Sequence, residues 1–512
     1  MDKLFQKTLS IYELYLLAIF FVLGILIQAI NILRFRKITF SLKKLDLPII
    51  IFLLSLFLSL FISSTNKIEA ISNSGFGLAM FVFLTFVYFF ISRRSSLNFF
   101  PLIISVLTLL LTVYLIIEKY YFNSSPPLTY SWYASIEILK NFKTALFGIG
   151  IGNFSTVFNR VKDIAYNQSP FWKITSFDLS HSTILQIFTE TGIFGFLSFG
   201  FLIFSATRQT LKQWNNGTMK PLIFLFFYLI ICLFIFPPSL IIFLLVYLGL
   251  GYISQQDRSS PRSFENDSPL LSIFFSLVLI LFSITLSYFT VRSFLAEYYY
   301  KKSVDNLANN QIKLAYDNMK TTRIFNPFNE KAVVSFSQIN LSIANSLAGK
   351  KEKINEVDKQ TIGQSIQSSI SESKEAIRLN PNNPLYYENM AIIYKNIIPI
   401  TKGSDAWAIS AYQRAIMLDP ANPVYRLDLG GVYYLLGRYE DAINLFTQAV
   451  NLKPDFANAY YNLAWGYYKN KQSDKAINAM QNTVRLIDKN NNKNNWEKAN
   501  NDLELFKKVE RI

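Results

Sequence analysis

The sequence has very little of what most binding and catalytic sites of soluble proteins are made from. Its 512 residues include one cysteine and one histidine. A single cysteine, Cys232, excludes a disulfide framework and a cysteine-based zinc site. Charged residues make up only 16% of the chain, whereas 51% of it is hydrophobic. A soluble globule does not need that much apolar surface, so the composition favours a chain that lies partly in lipid.

The net charge of +16 does not indicate a nucleic-acid partner. Residues 1–290 carry 21 Lys and Arg against 12 Asp and Glu, and residues 291–512 carry 29 against 22. The first excess lies mostly in short loops between apolar runs, and the second is diluted over a mixed surface. Because no basic stripe with interleaved aromatic residues is present, we expect no nucleic-acid binding.

Long apolar runs fill the first 290 residues. A hydrocarbon core of about 30 Å needs about 20 apolar residues in a helix. Eight runs approach this length: Ile11 to Leu33, Leu47 to Ser63, Phe76 to Ser92, Phe100 to Glu118, Thr183 to Ser205, Pro221 to Phe236, Ser239 to Ser254, and Pro269 to Val291. We therefore predict a multi-pass membrane domain with about eight spans. Pro237 and Pro238 cannot continue a helix and predict a tight hairpin between the sixth and seventh spans.

The basic residues of the short loops give these spans an orientation. Twelve Lys and Arg follow the odd-numbered spans, whereas the opposite segments carry only Lys3, Lys7 and Lys67. The positive-inside rule places the first set in the cytoplasm. We expect a bacterial cytoplasmic-membrane protein whose long loop and C-terminal part are extracytoplasmic. No cleavage site follows the first span, so we expect that span to be retained.

The last 220 residues contain repeats. The stretch PVYRLDLGGVYYLLGRYEDAINLFTQAVNLKP begins at Pro423, and a similar stretch begins 34 residues later at Ala457. Small residues recur in register, at Gly430, Ala442, Ala464 and Ala476, where they allow close helix packing. This pattern resembles the tetratricopeptide repeat, which implies an α-solenoid with a protein-binding surface.

Weaker units precede the two clear repeats. Pro384 to Asn422 is the same unit with five extra residues, and Leu314 to Pro327 and Ser368 to Pro381 have the pattern of second helices. The polar stretch Asn345 to Gln364 predicts a loop. The fold is therefore expected to be all-α, in four parts: N-terminal spans 1–118, an extracytoplasmic loop 119–182, C-terminal spans 183–291 and a repeat domain 292–512.

The loop 119–182 is too long to be a simple connection. It contains SWYASIEILKNFKTALFGIGIGNFSTVF, in which Trp132, Ile136, Leu139 and Phe142 are spaced for one face of a helix. The glycines Gly148, Gly150 and Gly152 follow and predict a turn. A helix lying at the membrane surface before a glycine-rich turn fits this pattern.

The segment HSTILQIFTETGIFG then opens the fifth span, from His181 to Gly195. A Trp-bearing helix, a G-x-G-x-G-N-F turn and His-x3-Leu-x4-Glu-x-Gly-x2-Gly resemble the O-antigen ligase and polymerase family of bacterial envelope enzymes. That resemblance implies a glycosyltransferase that moves a saccharide from a lipid-linked diphosphate donor to an envelope acceptor, a glycan or a protein. It assigns His181 as the general base, Glu190 as a second site residue, and Gly192 and Gly195 to the span.

The chemistry of such a transfer suggests further residues. Imidazole is a suitable base at neutral pH, and Asp178, three residues before His181, is available to orient the ring. The leaving diphosphate needs cations. Relatives carry an Arg before the loop Trp, where this chain reads PPLTYSW, so the loop offers Arg160, Lys162 and Lys173 instead. No Asp-rich motif is present, so we expect no metal and no cofactor.

Alternatives remain open at this stage. Glu190 could instead form a helix-packing hydrogen bond, and Arg160 could be a solvated charge. At the level of the whole chain, the alternative to a glycan transferase is a non-enzymatic, membrane-anchored scaffold on a reduced ligase-like fold.

Overall fold

The computed structural model describes residues 2–73, 75–93, 125–214, 219–257, 262–349 and 355–510. These residues divide into two compact units. The first comprises residues up to 158 and 177–329, and the second comprises 159–176 and the residues from 330 onward. The expected boundaries at 118, 182 and 291 stay predictions, and residues 159–176 of the long loop group with the repeats.

The first unit is helical apart from one two-stranded sheet. Its strands, Ile38–Leu42 and Arg262–Asn266, pair antiparallel with Ile38 opposite Asn266. Its helices are Asp2–Phe35, Asp46–Ser63, Lys67–Ser72, Leu78–Ser92, Leu128–Glu137, Phe142–Phe147, Phe154–Val161 (which ends in the second unit), Thr183–Lys212, Lys220–Ile235, Leu240–Gln255, Pro269–Ala308 and Ile312–Phe325.

Four helices in the described residues are long and apolar enough to cross a membrane. They are Ala18–Phe35 within the first helix, Asp46–Ser63, Thr183–Lys212 and Pro269–Ala308; three shorter apolar helices are Leu78–Ser92, Leu222–Ile235 and Leu240–Gln255. The count of eight spans therefore stays a prediction, and the run Phe100 to Glu118 lies outside the described residues. The helix beginning at Pro269 continues well past Val291, because backbone hydrogen bonding does not stop where the apolar run stops.

A charged cluster fixes the ends of the helices Asp46–Ser63 and Leu78–Ser92. The buried carboxylate of Asp46 lies 2.7 Å from the Arg93 guanidinium and accepts a 2.7 Å hydrogen bond from the Tyr88 hydroxyl. A buried carboxylate without such partners would be strongly destabilising. The side of the domain expected to face the cytoplasm is thus held by paired charges.

The second unit is a row of helical hairpins. The pairs are Glu330–Ala348 with Glu356–Leu379, Pro384–Asn396 with Ser404–Leu418, Pro423–Leu435 with Tyr439–Leu452, and Ala457–Lys469 with Ser473–Leu486; a last helix is Lys493–Glu510. The loop expected from Asn345 to Gln364 is wrong at both ends, because helices cover its first four and last nine residues. Asn355 accepts from the Asp358 N–H and caps the second of them.

Local sequence signals explain where the hairpins begin and why they pack. Asn383 and Asn422 each cap a helix whose first residue is proline, a favoured start because proline lacks only an N–H that would be unbonded there. Inside the hairpin, a Cβ on Gly430 would lie 2.6 Å from the Phe446 ring. Glycine there is a packing requirement, as the repeat pattern predicts.

Candidate functional site

The glycine turn closes onto the start of the helix Thr183–Lys212. Gly148, Gly150, Gly152 and Gly192 all have positive φ, at 72°, 93°, 78° and 66°. A Cβ on Gly148 would lie 2.2 Å from the Glu190 backbone carbonyl. Both the left-handed backbone and the lack of space therefore require glycine. Gly195 is helical, and a Cβ there would meet the Thr191 hydroxyl.

The buried carboxylate of Glu190 is held by this turn. It accepts the Phe154 N–H at 3.1 Å, at the start of the helix Phe154–Val161. Its backbone carbonyl accepts the Gly150 N–H at 3.1 Å and the Ser59 hydroxyl at 2.6 Å. A carboxylate at a helix N-terminus is stabilising. These bonds give Glu190 a structural role, and its part in catalysis stays a prediction.

The helix Leu128–Glu137 joins the turn to the histidine. On its buried face, Ser131 Oγ accepts the His181 N–H at 2.9 Å. One turn further along, Ser135 Oγ lies 2.9 Å from the Thr189 hydroxyl. Two hydroxyls four residues apart therefore fasten this helix to both ends of the His181–Glu190 segment.

The ring of His181 is oriented by a backbone carbonyl. Its Nδ1 lies 3.0 Å from the Pro126 carbonyl oxygen. A carbonyl can only accept, so Nδ1 carries the proton in the neutral ring and Nε2 keeps its lone pair, which is the tautomer a general base needs. Asp178 is exposed, and the role expected of it in orienting the ring stays a prediction. The partner of Nδ1 is a main-chain atom 55 residues away, which no side-chain pattern reveals.

The hairpin at Pro237 and Pro238 is hydrogen-bonded to the start of the helix Thr183–Lys212. The Phe236 carbonyl, directly before Pro237, accepts the Thr183 N–H at 2.9 Å and the Thr183 hydroxyl at 3.1 Å. The first turn of a helix has N–H groups without internal partners. The hairpin satisfies one of them and so fixes the backbone two residues after His181.

The three cations expected to bind the diphosphate, Arg160, Lys162 and Lys173, lie in the second unit. The Lys162 ammonium is 2.7 Å from Asp419, with side chains only 3% and 1% exposed, and donates to the Thr175 carbonyl at 2.6 Å. Arg160 and Lys173 are exposed. The diphosphate-binding role expected for these three residues stays a prediction, and in this structure the Lys162 ammonium is engaged by the repeats.

Residues 159–176, here called the strap, cross two turns between repeats. The Asn167 amide donates to the Ala421 carbonyl at 2.7 Å and to the Leu452 carbonyl at 3.1 Å. The Lys453 ammonium donates to the Asn167 carbonyl at 2.7 Å. The Trp172 ring packs edge-on against Phe456, 5.6 Å between centroids. These contacts connect residues more than 250 positions apart, and sequence reasoning missed them.

Burial affects both partners of the strap's ion pair. It lowers the pKa of Lys162 and raises the pKa of Asp419, since a charge loses its hydration in the interior. Their mutual attraction opposes both shifts. The pair is therefore costly to break on one side only.

A second group of acidic residues lies within the repeats. Burial, together with Asp428 and Asp419, raises the pKa of Glu388 to about 7. The buried hydroxyl of Tyr412 forms no hydrogen bond to the described residues. This is a polar interior in a helical stack, and composition alone gave no sign of it.

Comparisons with known proteins bear on the repeats. Residues 430–471 match the family model described as TPR repeat, that is, the tetratricopeptide repeat. Comparison with curated proteins finds no match. Solved structures similar to this chain include MamA, at 18% identity over 38% of this chain and 93% of that chain with a TM-score of 0.30. A thermophilic TPR protein of Thermus thermophilus gives 16% identity over 40% and 98%, with a TM-score of 0.30.

The C-terminal part therefore carries tetratricopeptide repeats, a type of module that commonly binds proteins. The solved structures are too distant to argue for a function. The resemblance of the N-terminal half to O-antigen ligases rests on its own motif and stays a prediction.

Proposed function

We propose that the protein is a glycan transferase of the bacterial cytoplasmic membrane, acting on its extracytoplasmic side. It would move a saccharide from a lipid-diphosphate donor to an envelope acceptor, while the repeats hold the acceptor or a protein partner. One observation carries the proposal: His181 directly precedes a candidate span, with Nδ1 bonded to the Pro126 carbonyl and Nε2 left as the base.

In this mechanism Nε2 of His181 takes the proton of the acceptor hydroxyl. The hydroxyl oxygen attacks the anomeric carbon, and the bond from that carbon to the diphosphate breaks, so that the lipid diphosphate leaves with the electron pair. The imidazolium is stabilised through its Nδ1–H bond to Pro126. The rate contribution of such a base is about 10² to 10⁴.

The test distinguishes loss of the catalytic base from loss of folding. His181→Asn retains a side-chain N–H able to reach the Pro126 carbonyl but has no basic nitrogen, whereas His181→Ala loses both. Reconstituted vesicles with lipid-linked saccharides from the host should show transfer by the wild type. Both variants should lose at least about a hundredfold in rate, and the Asn variant should keep the wild-type melting temperature. Full transfer by either variant would contradict the proposal.

A second candidate is a membrane-anchored scaffold. The observation that favours it is the strap, because it commits Lys162 to the repeats instead of leaving it free for a diphosphate. A scaffold should function normally with His181→Asn and fail with Gly430→Trp, which forces apart the hairpin at Phe446. Pull-down of partners from membranes with each variant, read beside the transfer assay, distinguishes the two candidates.

A further inference from the structure

The helix Leu128–Glu137 has two faces of different character. Its inner face is buried and carries Ser131 and Ser135, which bond to the His181 segment. Its outer face, continued by the next residues, exposes large apolar side chains. Five of these are here called the outer stripe: Leu128, Trp132, Ile136 and Leu139, which follow one another at helical spacing, and Phe142, which begins the next helix after the extended residue Asn141.

The outer stripe exposes more contiguous apolar surface than a water-facing helix usually does. Trp132 is 55% exposed and Phe142 is 81% exposed. Single exposed apolar residues are common, but contiguous ones mark an interaction site. An aromatic residue such as Trp132 is favoured at a membrane–water interface, where one part of the ring meets lipid and the N–H meets water.

The stripe continues into a surface suited to lipid. The short helix Phe142–Phe147 packs against the candidate span Thr183–Lys212, and the Phe147 ring stacks on Phe194 at 5.5 Å. From there the span exposes Phe194, Leu197, Phe201 and Phe204. One apolar surface therefore runs from the outer stripe along the span.

Charge complements this surface. Lys143 is exposed beside Phe142 and forms no ion pair within the described part of the chain. Lys140 is also exposed and pairs with Glu137 at 2.7 Å. A lysine next to an apolar stripe can lay its stem on lipid and place its ammonium at the phosphate level.

We propose that the outer stripe docks in the headgroup region of the bilayer leaflet at which the span begins, with the Lys143 ammonium at anionic lipid phosphates. The occupant of this surface is lipid, and the inner face then fixes His181 at headgroup depth, where a lipid-linked diphosphate lies. The contact with lipid stands independently, whereas its consequence for His181 rests on the proposed function.

The test measures depth in the full chain. Cysteines replace Trp132 and Ile136 one at a time in a Cys232→Ala background, with Lys471→Cys as the water-exposed reference. Nitroxide-labelled proteins are reconstituted in phosphatidylcholine–phosphatidylglycerol vesicles, and collisions with oxygen and with a water-soluble nickel chelate are compared. The oxygen-to-nickel ratio at 132 and 136 should exceed that at 471 several-fold. Equal ratios would overturn the proposal.

Two further measurements test the role of the Lys143 charge and the connection between lipid docking and the proposed function. Removing phosphatidylglycerol should lower the ratio at 136, and Lys143→Gln should abolish that dependence, whereas Lys471→Gln should retain it. If positions 132 and 136 show a high oxygen-to-nickel ratio but the wild-type protein transfers no saccharide, the lipid docking is supported and the proposed transferase function is refuted. If position 132 does not tolerate cysteine, as judged by gel filtration, Leu139→Cys replaces it, with the same expected ratio.

Discussion

Removal of the charge on Asp419 should release the strap. In Asp419→Asn the Lys162 ammonium remains in an almost fully buried site without its opposite charge, while the Thr175 carbonyl still accepts a hydrogen bond from it. Breaking one side of a buried ion pair costs about 3–5 kcal/mol. The cost has an upper limit, because Lys162 can lose its proton instead. From an ordinary pKa of 10.5 this deprotonation costs roughly 5 kcal/mol at pH 7.

This penalty can also be avoided by local opening, in which the strap leaves the repeats and both side chains are hydrated. The expected effect is therefore local and not global. Hydrogen–deuterium exchange of the full chain in detergent should show protection of residues 159–176 falling by on the order of a hundredfold or more. The helices Ala457–Lys469 and Ser473–Leu486 should exchange as in the wild type.

The matched control replaces both charges. Lys162→Met with Asp419→Leu fills the site without ions, and buried pairs exchanged for apolar residues are often neutral or stabilised. The double variant should recover most of the protection lost in Asp419→Asn. Unchanged exchange of the strap in Asp419→Asn would refute the reasoning, since it would mean that the ion pair does not hold the strap.

Three further predictions concern single side chains. Gly192→Ala should reduce folding of the first unit, because its Cβ would lie 2.4 Å from the Gly148 amide nitrogen; the yield of monodisperse protein measures this. Gly430→Ala should lower the melting temperature of the repeats by a strain of about 1–3 kcal/mol against Phe446. Glu388 takes up a proton on folding between its ordinary pKa of 4.5 and the folded value of about 7, so stability should fall as pH rises through this window, by about 3 kcal/mol. Urea unfolding of Glu388→Gln should show a flatter pH profile.

The control for Gly192 lies in the same helix, and the controls for Gly430 and Glu388 lie in other helices of the repeats. Gly200→Ala in the helix Thr183–Lys212 and Gly363→Ala in Glu356–Leu379 add a Cβ where nothing lies within 4 Å, and both should be tolerated. Glu440→Gln removes an exposed carboxylate from the repeats and should leave the pH profile unchanged. A loss in either glycine control equal to that of its partner variant would mean that steric contact is not the cause.

Sequence patterns that span no more than about forty residues predicted part of the structure. The 34-residue period, with Gly430 and its counterparts, indicated helical hairpins, because a small residue at a fixed position reports a close helix contact. The glycines of the loop indicated a turn, because a left-handed backbone needs glycine. The apolar runs predicted the long helices, although the helix ends differ from the run ends, most of all in Pro269–Ala308, which extends well past Val291.

The sequence by itself therefore determined the elements: apolar helices, repeats, a glycine turn and one histidine at the start of a candidate span. The tertiary structure alone decided their partners. It paired Lys162 with Asp419, gave His181 the carbonyl of Pro126 as a partner, and set Glu190 against the glycine turn. The reason is physical: periodicity and backbone preference are local properties, whereas a hydrogen bond between residues 36 to 257 positions apart depends on which surfaces the folded chain brings together.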